Sequence, residues 1–176
     1  CHGFTTLATG GFSTHTESVG YFNDSAIHWV IILFMVIGGL NFSIYSQLIR
    51  RKIKFLFRDI EFRAFISVLV IAVIVGMFVV PTTGDFWIDL RDATFQVVTL
   101  ATSSGFATVD YNTWPVVMLT VLVMLMFVGG CMGSTAGGMK MMRVLVFGKT
   151  VSRELHRMLY PHGVRPVRVG RKVIKP

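Results

Sequence analysis

Two cysteines, nine acidic side chains and a charged fraction of 15% leave this chain of 176 residues short of the usual materials of soluble proteins. Cys1 and Cys131 both fall in apolar sequence and are too few for a disulfide framework or a zinc site. The five histidines are scattered without metal-ligand spacing, and no nucleophile–base pair stands out. The chain is therefore not expected to be an enzyme or to hold a cofactor. No secretory leader is visible either, since the opening Cys1-His2-Gly3-Phe4 carries no basic region. The net charge of +8 would suit nucleic acid, but that needs aromatics among the charges, and the basic C-terminal stretch offers only Tyr160. What is abundant is apolar: 53% hydrophobic residues, 15 of them Phe, with a mean hydropathy of +0.65. A soluble domain cannot cover such a core with so little polar surface. The solvent is expected to be a bilayer.

Three stretches are long enough to cross about 30 Å of hydrocarbon. The first runs from Ala26 to Gln47 and stops at Arg50, Arg51 and Lys52. The second runs from Ala64 to Pro81. The third follows Thr113-Trp114-Pro115, read as an N-cap and a first turn that tolerates proline, and continues to Phe147. It is too long for one straight crossing, and five glycines lie among the ten residues from Gly129 to Gly138. A helix is not expected to run through them, so a loop at membrane depth should interrupt it. Fourteen of the seventeen basic residues sit between spans one and two or after span three, whereas six acids lie on the opposite side. The basic segments are accordingly expected to be cytoplasmic.

Phe86 to Ala101 is apolar but too short to cross and return, which suits a re-entrant helix or, alternatively, an amphipathic surface helix. An internal repeat favours the first. Thr6-Leu7-Ala8-Thr9-Gly10-Gly11-Phe12-Ser13-Thr14 echoes Thr99-Leu100-Ala101-Thr102-Ser103-Ser104-Gly105-Phe106-Ala107-Thr108 with one residue inserted. Met35 to Ser43 echoes Met126 to Ser134 in the same order. Such symmetry is common in transport folds. The unit is helix, pore helix, extended filter, helix. The fold expected is an all-α, polytopic integral membrane protein with one broken transmembrane helix. Residues 1–48 would form a partial repeat, 49–63 a cytoplasmic loop, 64–148 a complete repeat and 149–176 a basic cytoplasmic segment. The chain is expected to be a piece of a longer protein.

Glycine after a re-entrant helix has a chemical use. A dehydrated alkali cation needs several close oxygens, which backbone carbonyls supply without fixed negative charge. Turning successive carbonyls toward one axis needs conformations that glycine adopts freely. Gly11 and Gly105 are the candidates, flanked by Thr9, Gly10 and Phe12 and by Ser103, Ser104 and Phe106. The phenylalanines would brace the strands, and the carbonyl ends of the pore helices, near Ala8 and Ala101, would face the ion. Each motif alone reads as an ordinary turn; two at equivalent positions favour a filter.

Three segments together carry a family resemblance: Thr6 to Phe22 (TLATGGFSTHTESVGYF), Val98 to Tyr111 (VTLATSSGFATVDY) and Phe127 to Arg143 (FVGGCMGSTAGGMKMMR). They resemble the Trk/Ktr/HKT potassium transporters, most closely the Trk type. The resemblance implies four repeats around one pore, with this chain supplying part of the second and the whole third. It implies passive or weakly coupled potassium uptake, the ion being held by filter carbonyls of Thr9 to Phe12 and Ser103 to Phe106. It also implies an inner-membrane homodimer that binds a cytoplasmic, nucleotide-regulated subunit of the RCK type. The segment Gly129 to Lys140, with Gly130, Gly133, Ser134, Thr135, Gly137 and Gly138 between, matches the family's intramembrane gate. It lacks the ending of a phosphate-binding loop and follows a membrane helix. A gate is one use of so many small residues; a static break that lets helices pack closely is the other.

Lys140 could raise the barrier to a cation at the inner mouth, and Arg143 is expected to snorkel toward lipid phosphates. Asn41 is expected to donate between helices, and Asp110 to be an exposed loop acid. Trp29, Trp87 and Trp114 would mark the outer interface. Two rival readings stay open at this point: an ion-coupled secondary transporter with its site at the broken helix, and a membrane anchor that transports nothing.

Overall fold

Aspartates open three of the helices, and the helices then follow the apolar runs. The computed structural model describes residues 1–22, 24–49, 59–80, 84–159, 167–169 and 172–174. Within them lie α1 (His2–Leu7), α2 (Ser25–Gly39), α3 (Phe42–Ile49), α4 (Ile60–Val79), α5 (Phe86–Ala101), α6 (Val116–Phe127) and α7 (Met141–Leu159). Short 3-10 turns occupy Ser18–Tyr21 and Tyr111–Thr113. An antiparallel pair, β1 (Val167–Val169) with β2 (Lys172–Ile174), is registered Val167 to Ile174. Side-chain oxygens of Asp24, Asp59 and Asp85 accept from the N–H of Ala26 (2.9 Å), Glu61 (2.9 Å) and Trp87 (3.3 Å). Each satisfies a donor that the first helical turn leaves unpaired. Asp24→Ala should therefore lower the unfolding midpoint of the detergent-solubilised protein by the equivalent of about 1 kcal/mol. An unchanged midpoint would show that the cap on α2 contributes nothing.

The core forms where α2, α4 and α6 surround α5. Met35, Phe65, Leu69, Phe95, Val97, Met118 and Leu122 are buried there. His28 is buried with them, its ring edge-on to Phe95 at 5.9 Å, and neither ring nitrogen has a partner among the described residues. Among those residues α4 is the one helix long and apolar enough to cross a membrane unaided, and it carries no charge from Ala64 to Val79. The apolar helices α2 and α6 are shorter, at 15 and 12 residues.

Several expected boundaries move, each for a local reason. Span one is broken: α2 ends at Gly39, Leu40 is extended and Asn41 starts α3. Asn41 caps α3, its Oδ1 accepting from the N–H of Ser43 at 2.8 Å, and no bond donated by its side-chain amide occurs among the described residues. The second span begins one turn early, where Asp59 caps it. Pro115 itself occupies the N-cap of α6, while the hydroxyl of Thr113 donates to the carbonyl of Asp110 at 2.9 Å. The acid Asp110 is exposed as expected, and its carboxylate accepts from the backbone and side chain of Asn112. Past the break, α7 continues beyond Phe147 to Leu159, taking in Lys149, Arg153 and Arg157. The basic segment thus starts inside a helix, where Arg153 pairs with Glu154 at 2.7 Å. Cys1 is exposed, contrary to its apolar sequence surroundings, whereas Cys131 is buried. Residues 50–58, and with them most of the first basic segment, lie outside the described residues, as does Pro81.

Candidate functional site

The helices α1 and α5 end in the same way. Ala8 and Thr102 close them with nearly identical dihedral angles, φ −79° and −91° with ψ −1° in both. The next residues, Thr9 (φ +49°) and Ser103 (φ +56°), are left-handed although neither is glycine. The following N–H groups, of Gly10 and Ser104, reach back to the carbonyls of Thr5 and Thr99, each at 2.8 Å. Gly11 (φ +65°) and Gly105 (φ +83°) are left-handed again. Each helix therefore ends in a tight reversal that ties its last free carbonyls. The equivalent pairs, Thr9 with Ser103 and Gly11 with Gly105, are both 94 positions apart, so no residue is inserted. Matching the Ala-Thr letters sets the sequence alignment one residue out; backbone geometry corrects it. Left-handed Thr9 and Ser103 each carry a strain of about 1–3 kcal/mol, a cost usually met with at functional segments.

The extended segments that follow the two helices, Thr9 to Phe12 (the first strand) and Ser103 to Phe106 (the second), meet. A β-carbon on Gly11 would lie 2.1 Å from the carbonyl oxygen of Ser104, whereas one on Gly105 would face open space. Farther out, the N–H of Gly20 donates to the carbonyl of Ala107 at 3.1 Å, and the N–H of Ala107 to Ser18 Oγ at 3.3 Å. The amide of Gln96 holds the carbonyl of Val109 at 3.2 Å. The two phenylalanines differ. Phe106 is buried, 1% exposed, beside the His2 ring at 6.1 Å, but Phe12 is 72% exposed, so the expected brace exists within these residues for one strand only.

The chain between α6 and α7 lies against both strands. Its neck is closed by the N–H of Met139 to the carbonyl of Phe127 (2.9 Å) and that of Gly129 to the carbonyl of Met139 (3.0 Å). Its tip is Thr135, whose hydroxyl can donate to the carbonyls of Leu7 (2.9 Å) and Gly38 (3.1 Å). The hydroxyl of Thr9 in turn reaches the carbonyl of Thr135 at 2.9 Å. Gly137 abuts the other strand: a β-carbon there would sit 3.3 Å from Ser103 Oγ. The break in α2 fits this loop, because the carbonyl of Gly39 accepts from the N–H of Cys131 (2.9 Å) and that of Gly38 from the N–H of Thr135 (3.3 Å). Two interrupted helices thus satisfy backbone groups that each would otherwise leave unpaired. The ammonium of Lys140 is turned back onto the loop, donating to the carbonyls of Ala136 and of Ser134, the latter at 3.4 Å. Arg143 is exposed. The structure therefore brings Thr9 to Phe12, Ser103 to Phe106 and Gly129 to Lys140 into one neighbourhood.

One residue there is missed by the sequence reading. Glu61, in the first turn of α4, is 3% exposed, and its Oε1 accepts from the N–H of Met132 at 2.6 Å and of Met142 at 3.2 Å. The available signal was an acid directly beside an apolar span, submerged in a count of neighbouring basic residues.

A short helix, an extended segment and a longer helix occur twice, the second time preceded by α4 and followed by a loop that interrupts a helix, and this architecture defines a polytopic α-helical membrane protein. The profile of the TrkH family, described as cation transport protein, matches residues 1–176. The chain belongs to that family. It is 38% identical over 177 residues to the Trk system potassium uptake protein TrkH of Salmonella typhimurium, covering 98% of this chain and 37% of that protein. The protein TrkG of Escherichia coli K12, also named a Trk system potassium uptake protein, is 38% identical across 99% of this chain and 36% of its own length. The crystal structure of the potassium transporter TrkH from Vibrio parahaemolyticus superposes with a TM-score of 0.89 at 35% identity, over 95% of this chain and 37% of that one. The chain thus spans little more than a third of the length of these relatives.

Proposed function

We propose that the chain supplies two quarters of a pore that carries potassium across a bacterial inner membrane. Backbone carbonyls of Thr9 to Phe12 and Ser103 to Phe106 replace part of the ion's water, and the loop from Gly129 to Lys140 opens and closes the path beneath them. The observation that carries this reading is the repeated backbone. Two repeat-related segments hold the same left-handed geometry at equivalent residues, directly against a glycine-rich loop. An ordinary turn has no need to keep strained Thr9 and Ser103 in both copies.

Two further repeats complete the ring in the full-length protein, the basic segments face the cytoplasm, and the assembly is a homodimer. A nucleotide-regulated cytoplasmic subunit acts on it from that side. The test is made on the full-length protein reconstituted in liposomes. Current should flow without any coupling gradient and reverse at the potassium equilibrium potential. Obligatory coupling to another ion would overturn the pore in favour of a carrier.

A further inference from the structure

We propose that Glu61 is the clasp of the Gly129–Lys140 loop, a positioning residue that holds its two ends together and sets how often it opens. The inference rests on the gating role proposed above. One carboxylate oxygen takes two backbone donors ten residues apart in sequence, Met132 at the start of the loop and Met142 in the first turn of α7. Met142 belongs to the unpaired N-terminal turn of its helix, so the carboxylate there both caps a donor and meets the positive end of the helix. Neighbouring donors are tied elsewhere: Met141 to the carbonyl of Gly130, and Arg143 and Val144 to that of Lys140. Glu61 is itself fixed, because its own N–H is held by the cap Asp59 at 2.9 Å on the rigid start of α4.

The geometry gives the clasp its effect. Any displacement of α7 away from the start of the loop must break at least one of the two bonds, since both converge on Oε1. Hydrogen bonds to a buried carboxyl oxygen that water does not replace are costly to break. The closed arrangement is thereby favoured over any in which α7 and the loop separate.

The experiment uses the full-length transporter with Thr135→Cys as a reporter and its other cysteines replaced by alanine. A charged thiol reagent is applied from the cytoplasmic side while potassium flux is followed. Modification should block flux, and its rate should rise by about tenfold or more in Glu61→Ala. Glu61→Gln keeps an acceptor oxygen without the charge, so it should give an intermediate rise and, in the unmodified protein, unchanged potassium-over-sodium preference. Block at a rate that neither Glu61 variant alters would overturn the clasp and leave the gate standing. If modification at position 135 left flux untouched, the gate itself would fall, and the clasp with it. A change in ion preference without a change in modification rate would also count against the clasp, because it would place Glu61 in the conduction path.

Discussion

Replacing Gly11 with alanine is expected to abolish potassium uptake by the full-length transporter, while Gly105→Ala only weakens it. The two glycines are equivalent by repeat and by backbone, so symmetry alone predicts equal effects. Sterics separate them. At Gly11 the new methyl group would sit 2.1 Å from the carbonyl oxygen of Ser104, a backbone atom that cannot swing aside. At Gly105 the same group meets nothing within 4 Å, leaving only the left-handed cost of about 1–2 kcal/mol. Separating the strands around Gly11 adds an overpacking cost of roughly 1–3 kcal/mol and shifts the carbonyls of both strands at once. Carbonyls that replace an ion's hydration shell do not tolerate such a shift. Rubidium uptake by cells carrying equal amounts of each variant measures this. Wild-type uptake in Gly11→Ala would remove the strand from the conduction path, and equal losses in both variants would mean that strand contact is irrelevant.

That contrast could not be read from the amino acids, and it shows where sequence reasoning stops. The bounds of α5, Phe86 to Ala101, were fully legible: an aspartate cap stands before the helix and a small-residue turn follows it. The interruption between α6 and α7 was legible too, because five glycines in ten residues forbid a continuous helix. The break after Gly39 was not. A paired glycine in an apolar run is compatible with a helix, and the break is stable only because Cys131 and Thr135, some ninety residues on, take the freed carbonyls. Alignment register failed for a similar reason. Thr9 and Thr102 share a letter, but the left-handed turn falls on Ser103. Glu61 was hidden because charge counting sums over a segment, whereas its role depends on two particular N–H groups. The environments of Phe12 and Phe106 likewise depend on what lies beside each strand, not on the shared Gly-Phe letters.

The loop should respond to its own glycines just as unequally, and Gly129→Ala is expected to raise basal potassium flux severalfold in the full-length protein. Gly129 stands in the neck, where a β-carbon would be 1.9 Å from the carbonyl oxygen of Gly137 and 3.0 Å from its carbon. The neck cannot close around it. The bonds from Met139 to Phe127 and from Gly129 to Met139 must lengthen, and the tip held by Thr135 beneath the first strand must shift with them. Gly133→Ala is the matched control. Unlike Gly129, that residue is left-handed, φ +75°, but its nearest neighbour would be Asn41 Oδ1 at 3.4 Å, an ordinary contact. Only the backbone cost of about 1–2 kcal/mol remains there, and the neck is untouched. Flux through reconstituted liposomes should therefore rise for Gly129→Ala and stay close to wild type for Gly133→Ala, with potassium still preferred over sodium in both. A static break whose only purpose is close helix packing predicts otherwise: Gly129→Ala would lower the folded yield, and whatever protein survived would conduct as wild type. The flux of the folded fraction thus decides between a moving loop and a fixed one, because a packing defect removes molecules whereas an open neck changes what each molecule does.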